Sequence, residues 1–467
     1  MAMASISRVL QGMEARLARR FERSGDQHRF PPPNPDVPVG SDTLPQIRHI
    51  VVLMMENHSF DNYLGVLGRG DGLPVDADGN PDAVNATAGG RLLGSKRFAT
   101  TEQHARVPSQ SWEASHEQWA NGNNDGFVRS AERQRSDVDP SVAMGCWNDV
   151  DLPFYYGLAR AFPVADRWFS SCLGPTFPNR RFLVAGTANG LTTDSIAHTF
   201  DHPANGTVFD LLTTHRISWA NYHSVPHRGP ALKRGLGVHG LRLSRRVRSI
   251  LKGLNRRFGN VGTEAKSFLQ FTADAYPVGI LRYLSHVHSI DRFISDAAAG
   301  RLPSVSIVDP DFRKNSEENP QDIQHGEAFA ARIINAVMAG KGWMGTLLIW
   351  VYDEHGGYYD HVPPPSAVEP DDHPIETGGP WRFDRYGFRV PAVLVSPYAR
   401  PDYVSHVVHD HTSILKLIET KWNLPPLTRR DAEADDLLDS LDLSGPPAFE
   451  RPPNLPNPAL RSDPGVA

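Results

Sequence analysis

The stretch HIVVLMMENHSFDNYLG, residues 49–65, decides the fold. Its first part, His49–Met55, is a short unbroken apolar run. Such a run reads as a strand buried on both faces, the kind that fills parallel sheets. It stops on Glu56-Asn57. Three further runs look the same: SVSIVD (Ser304–Asp309), TLLIWVYD (Thr346–Asp353) and VPAVLVSP (Val390–Pro397). All four are expected to be parallel. Helical patterns lie among them. HGEAFAARIINAVMAG (His325–Gly340) predicts a helix closed by Gly340, and HTSILKLIETKW (His411–Trp422) predicts another, capped near Thr412 or Ser413. Strands alternating with helices predict an α/β fold with a central, mainly parallel sheet flanked by helices.

The remainder of the chain frames this core. Residues 1–46 read as an arm: an amphipathic helix with Ile6, Leu10, Met13, Leu17 and Phe21 on one side, then a proline-rich linker, FPPPNPDVPVGSDTLPQ. Residues 47–445 are expected to form one catalytic domain, and 446–467 an irregular, proline-rich tail. Two regions interrupt the alternation. Residues 66–160 are rich in Gly, Asp, Asn and Trp and read as long loops over one end of the sheet. Residues 228–262 form a strongly basic insertion, with ten Lys or Arg between Arg228 and Arg257. There Leu243, Val247, Ile250, Leu251 and Leu254 recur at helical spacing. This reads either as an interfacial helix that meets anionic lipid or as a solvated lid or oligomer contact.

Composition bounds the function. The 467 residues are 40% hydrophobic and 22% charged, ordinary for a globular enzyme. A net charge of -5 gives no general attraction to nucleic acid. Two cysteines, Cys146 and Cys172, make no disulfide framework. Arg and Glu interrupt the N-terminus too often for a secretory signal, and no run of about 18 apolar residues exists. A cytoplasmic protein is the expectation.

Three clusters carry the chemistry. The first lies just past the strand ends: Glu56-Asn57, Asp309 and Asp353-Glu354. Open α/β sheets bind ligands outside the carboxyl ends of their strands. Adjacent carboxylates repel there, and a hard divalent cation with oxygen ligands relieves that cost. Ca²⁺, Mg²⁺ and Mn²⁺ all suit such a site. Helix capping by Asp and Asn is the alternative. The second is SSCLGPTFPNRRF (Ser170–Phe182), where a Gly-Pro turn sets Thr176 near a helix N-terminus, a favourable place for an anion. Thr176 is a candidate nucleophile and Arg180 a candidate phosphate clamp; a simple N-cap and a surface arginine are the alternatives. The third is VYDEHGGYYDHVPPP (Val351–Pro365), which gathers Asp353, Glu354, His355, Asp360 and His361 around Gly356-Gly357.

At these clusters the sequence resembles the phosphoesterase family of bacterial phospholipases C and acid phosphatases. The matching blocks are HIVVLMMENHSFDNYLG, GPTFPNRRF and YDEHGGYYDHVPPP, with RVPAVLVSPYAR and HDHTSILKLIE as a last core block. The resemblance covers roughly residues 47–443. It implies an alkaline-phosphatase-like α/β sandwich with long loop insertions. It implies Glu56, Asn57, Thr176, Asp353 and Glu354 as ligands of a divalent metal, with Thr176 also the nucleophile that becomes transiently phosphorylated. It implies hydrolysis of phosphodiesters or phosphomonoesters, including the headgroup bond of a phospholipid. Two positions depart from the pattern: Gln110 and Asn319 stand where the family carries histidines that hold phosphate or protonate the leaving group. Gln and Asn donate hydrogen bonds but not protons. His116, His223, His325, His355 and His411 are then the candidate acids, with His355 and His116 favoured as catalytic. Gln110, Asn319 and His223 are expected to touch substrate. A sulfatase is disfavoured because its nucleophile derives from Cys or Ser. A binding-only relative with weak turnover is the rival from another class.

Overall fold

The computed structural model describes residues 30–104, 107–194, 203–224 and 283–460. The predicted N-terminal helix and the basic insertion, residues 228–262, lie outside the described residues. The core is one eight-stranded sheet. Its strands in chain order are β1 (His49–Met55), β2 (Val164–Ala165), β3 (Trp219–His223), β4 (Val287–Ser289), β5 (Val305–Val308), β6 (Thr346–Tyr352), β7 (Ala392–Val395) and β8 (Val404–Ser405). In space they run β8-β2-β7-β6-β1-β5-β3-β4. The central strands β1 and β6 are buried along almost their whole length, as unbroken apolar runs require.

The predicted strand around Val390–Pro397 exists but runs the other way. β7 is antiparallel to both β6 and β2, whereas every other pairing in the sheet is parallel. Buried apolar runs look alike in either direction, so composition could not fix its sense.

Helices cover the sheet. They include α1 (Phe60–Leu64), α2 (Trp112–Trp119), α3 (Pro153–Ala161), α4 (Thr176–Ala185), α5 (Ile290–Ala299), α6 (Ile323–Met338) and α7 (His411–Trp422). α6 starts two residues before its predicted start and ends at Met338, with Ala339 rather than Gly340 as its C-cap. α7 has the predicted span, but its N-cap is Asp410, in a reciprocal capping box with Ser413. Residues 66–160 are not all loop, because α2, α3 and a helix at Phe127–Gln134 fall within them. The tail at 446–460 carries no regular element but is tied down: Trp343 donates its indole N–H to the Phe449 carbonyl at 2.9 Å. Among the described residues no helix is long and apolar enough to cross a membrane.

Candidate active site

The register of the central strands builds the site. β1 pairs with β6 from His49↔Thr346 to Met55↔Tyr352. One step further along both strands sets Glu56 beside Asp353. On the other side of β1, Leu53 pairs with Val308, so Asp309 emerges from the same end of the sheet. β3 pairs Tyr222 with Val308, which brings His223 alongside Asp309. Residues about 300 apart in sequence thus meet at one crevice, as open parallel sheets favour.

The chain leaves β1 through Asn57 in the left-handed region, φ +68°. Asn tolerates that conformation better than most residues. Asp353 fixes the turn: its Oδ1 accepts the N–H groups of Asn57 at 3.2 Å and Glu354 at 2.8 Å. Glu354 Oε2 accepts the Gly356 N–H at 2.7 Å. Gly356 sits at φ +67°, and a Cβ there would lie 1.9 Å from the Asn57 carbonyl oxygen. Only glycine fits between the turn after β1 and the turn after β6.

α4 brings the hydroxyl. Pro175 is its N-cap and Thr176 its first residue, so Thr176 is not itself the cap. Thr176 Oγ1 lies 3.4 Å from Asn57 Oδ1. Thr176 is 9% exposed, against 0–2% for Glu56, Asn57, Asp353 and Glu354, so it is the most solvent-accessible of the five. These five side chains offer oxygen donors of the type hard divalent cations take. Glu354 Oε1 is buried without a hydrogen-bond partner, a costly arrangement that a bound cation would relieve, whereas Glu56 Oε1 has the Arg180 guanidinium 3.3 Å away. Burial and the neighbouring Asp353 push both of these carboxyls well above their usual range.

Arg180, one turn along α4, answers the acids directly. It lies 3.1 Å from Asp353 through Nε, 2.8 Å from Asp309 through Nη1 and 3.3 Å from Glu56 through Nη2. Burial opposes its charge, but Asp353, Glu56 and Asp309 more than compensate and raise its pKa. The guanidinium therefore faces the carboxylates of this site.

The histidines fall in different places. His355 is fully buried, bonds Gln118 Oε1 at 2.7 Å, and is pushed by burial down to about 3. His116 holds the Trp112 carbonyl at 2.7 Å, stacks on Trp381, and is lowered by burial to about 4. Both are neutral near pH 7 and so carry no spare proton. His411 lies with Nε2 2.6 Å from the Asp353 carbonyl and accepts from the Trp168 indole, which makes it a brace behind the site. His223 faces Asp309 and Asp311, and burial lowers its pKa. His325 is exposed on α6. Asn319 uses its amide N–H groups on the carbonyls of His104 and Val107. Gln110 lies half-buried in the loop before α2. Asp360 and His361 separate from Asp353-Glu354. They gather with Asp61 around Arg389, which lies 2.9 Å from Asp61 and 2.8 Å from Asp360. The cation of that cluster is a guanidinium.

Two acids in the crevice escaped the sequence reading. Asp194 accepts the Phe177 N–H at 2.8 Å. Glu318 is lifted to about 7 by burial and then by Asp353 and Asp194. No strand runs into either one, so neither showed the pattern of an acid at a strand end.

The model of the phosphoesterase family matches residues 47–425. The chain is 30% identical over 461 residues to phospholipase C B of Mycobacterium tuberculosis (strain CDC 1551 / Oshkosh), covering 90% of this chain and 82% of that protein. It is 28% identical over 443 residues to non-specific phospholipase C6 of Arabidopsis thaliana, covering 88% and 75%. Among solved structures it has a loose likeness to a protein in the alkaline phosphatase superfamily from Vibrio parahaemolyticus, with 9% identity and a TM-score of 0.39 over 92% of this chain and 79% of that one. With strand-end acids, a helix-borne threonine and a family match across most of its length, the chain belongs to the phosphoesterase family and is a phosphoric ester hydrolase.

Proposed function

We propose that this protein is a metal-dependent, phospholipase C-like phosphoesterase that works through transient phosphorylation of Thr176. The observation that carries the reading is the convergence of Glu56-Asn57, Thr176 and Asp353-Glu354, three distant segments, with Glu354 Oε1 buried and left without a hydrogen-bond partner. Relatives named as phospholipases C favour a phosphodiester in a lipid headgroup as substrate; a small phosphomonoester is the alternative.

A divalent cation held by these five residues would lower the pKa of the Thr176 hydroxyl and offset charge on the phosphoryl group. Asn57 holds the hydroxyl in place from β1, and the first turn of α4 presents it to solvent. Thr176 Oγ1, its proton given up to solvent, attacks phosphorus in line as the bond from phosphorus to the alcohol oxygen breaks. The leaving oxygen needs a proton. The neutral His355 and His116 are poor sources, whereas Glu318 is protonated below about pH 7. Glu318, which lies close enough to Asp353 and Asp194 to feel their charge, is the candidate acid of the first step. Its carboxylate then takes a proton from the water that hydrolyses the phosphothreonine.

Chelation tests the metal requirement. EDTA is expected to abolish hydrolysis of p-nitrophenyl phosphate and p-nitrophenyl phosphorylcholine, and Ca²⁺, Mg²⁺ or Mn²⁺ to restore it. Full activity after exhaustive chelation refutes the reading. Inactivity on both substrates, with phosphate still bound, favours a binding-only protein. A second expectation concerns pH. A general acid must be protonated, so the rate falls as pH rises through the Glu318 pKa; a bound cation moves that limb lower. Glu318→Gln should remove the limb and slow turnover by about 10²- to 10⁴-fold. An unchanged pH–rate profile in that variant rules Glu318 out.

A further inference from the structure

Behind the crevice lies a second carboxylate that the proposed chemistry does not use. Glu317 is fully buried between the sheet and α6. Its backbone is in the left-handed region, φ +76°, which is costly for a residue with a long side chain. Three tyrosines from three elements converge on it. Tyr155 of α3 donates to Oε1 at 2.7 Å, and Tyr63 of α1 to Oε2 at 3.0 Å. Tyr352, the last residue of β6, also donates to Oε2. The Glu317 carbonyl is held in turn by Gln103 and by His58, whose Nε2 lies 3.2 Å away. Ser316, one residue back, accepts the Glu56 N–H at 3.1 Å.

The sequence neighbours of these partners matter. Tyr352 immediately precedes Asp353-Glu354. His58 comes directly after Glu56-Asn57, and Tyr63 lies on the next helix, α1. Both halves of the proposed ligand set are therefore fastened to one buried residue.

α6 has been shaped to admit it. Gly326 lies within that helix, where Ala would ordinarily be the better helix former. A Cβ on Gly326 would lie 2.1 Å from Glu317 Cγ and 2.2 Å from its Oε1. The glycine leaves room for this carboxylate and for nothing larger.

We infer that Glu317 is a positioning residue for the metal-ligand set, locking Tyr352, and with it Asp353-Glu354, in register with Glu56-Asn57. This rests on the ligand assignment of the proposed function. Partners one layer behind metal ligands commonly change affinity about 10- to 100-fold when lost. A carboxylate that merely filled the core would affect folding stability and leave metal affinity alone.

The test is Mn²⁺ binding to the full chain, followed by electron paramagnetic resonance without substrate and paired with turnover against Mn²⁺ concentration. Glu317→Gln, which keeps the shape, should weaken Mn²⁺ binding by about tenfold or more. At saturating Mn²⁺ its kcat should return to near wild type. Gly326→Ala, which evicts the side chain without touching it chemically, should do the same. Tyr352→Phe, which removes one hydroxyl, should shift affinity in the same direction, and it decides the matter if the other two do not fold. Affinity within twofold of wild type in every folded variant overturns the inference. Asp353→Asn separates the two readings. If it abolishes Mn²⁺ binding, the ligand assignment stands whatever Glu317 does. If it binds as wild type does, the ligand assignment falls and this inference falls with it.

Discussion

Thr176→Ala is expected to lose turnover by roughly 10⁴- to 10⁶-fold, the scale seen when a nucleophile is removed from a site built around it. Thr176 is the hydroxyl beside Asn57 Oδ1, while the neighbouring ligands are acids and an amide. The fold should tolerate the change, because Thr176 is the first residue of α4 and is not itself at the N-cap, a position held by Pro175. Metal binding should persist, since four stronger ligands remain. Thr176→Ser keeps the hydroxyl and should retain measurable activity. Acid quenching during turnover should trap a phosphorylated Thr176 peptide in wild type and none in the alanine variant. Activity within tenfold of wild type in Thr176→Ala would sink the nucleophile assignment.

The second large effect is on stability. Arg180 lies within 3.3 Å of Glu56, Asp309 and Asp353 in a buried crevice. Arg180→Met keeps much of the bulk and leaves those acids facing one another. Removing one partner of a buried ion pair costs about 3–5 kcal/mol. Urea denaturation of the metal-free variant should show a loss on that scale. A divalent cation binds the folded form and should return part of it, with a larger gain in the variant than in wild type. The same variant tells two roles apart. If Arg180 only balances charge, saturating metal restores kcat and KM together. If it also grips the phosphoryl group, kcat stays low when metal is saturating. A denaturation midpoint unmoved by Arg180→Met would contradict the charge-balancing role.

Much of this architecture could be read from the chain itself. His49–Met55 and Thr346–Tyr352 were legible as strands because burial on both faces demands unbroken apolar runs. Glu56-Asn57 and Asp353-Glu354 were legible because each comes directly after such a run, and parallel register brings strand ends together. What stayed hidden depended on three-dimensional partners. The direction of Ala392–Val395 is set by its neighbours and not by its composition. Arg180 reads in isolation as a clamp, and only its contacts show three carboxylates around it. His116 and His355 look like proton donors until their burial is known. Asp360 and His361 share a motif with Asp353 yet turn toward Arg389. Asp194 and Glu318 lie in plain polar stretches, and nothing local distinguishes them from solvated acids.

The place of β1 in the sheet has a consequence for synthesis. It is the first of the described strands to be made, yet it lies between β5 and β6, which are encoded far downstream. At ribosomal speeds of about 5–20 residues per second, the roughly 250 residues that separate Ile50 from Val305 take on the order of 15–50 s to appear. During that interval HIVVLMM is an apolar segment with two unpaired edges, the type most prone to stick to other nascent chains. The enzyme's most informative sequence is thus also its most exposed liability on the ribosome. Yield in the cell should depend on what shelters this strand until its partners emerge.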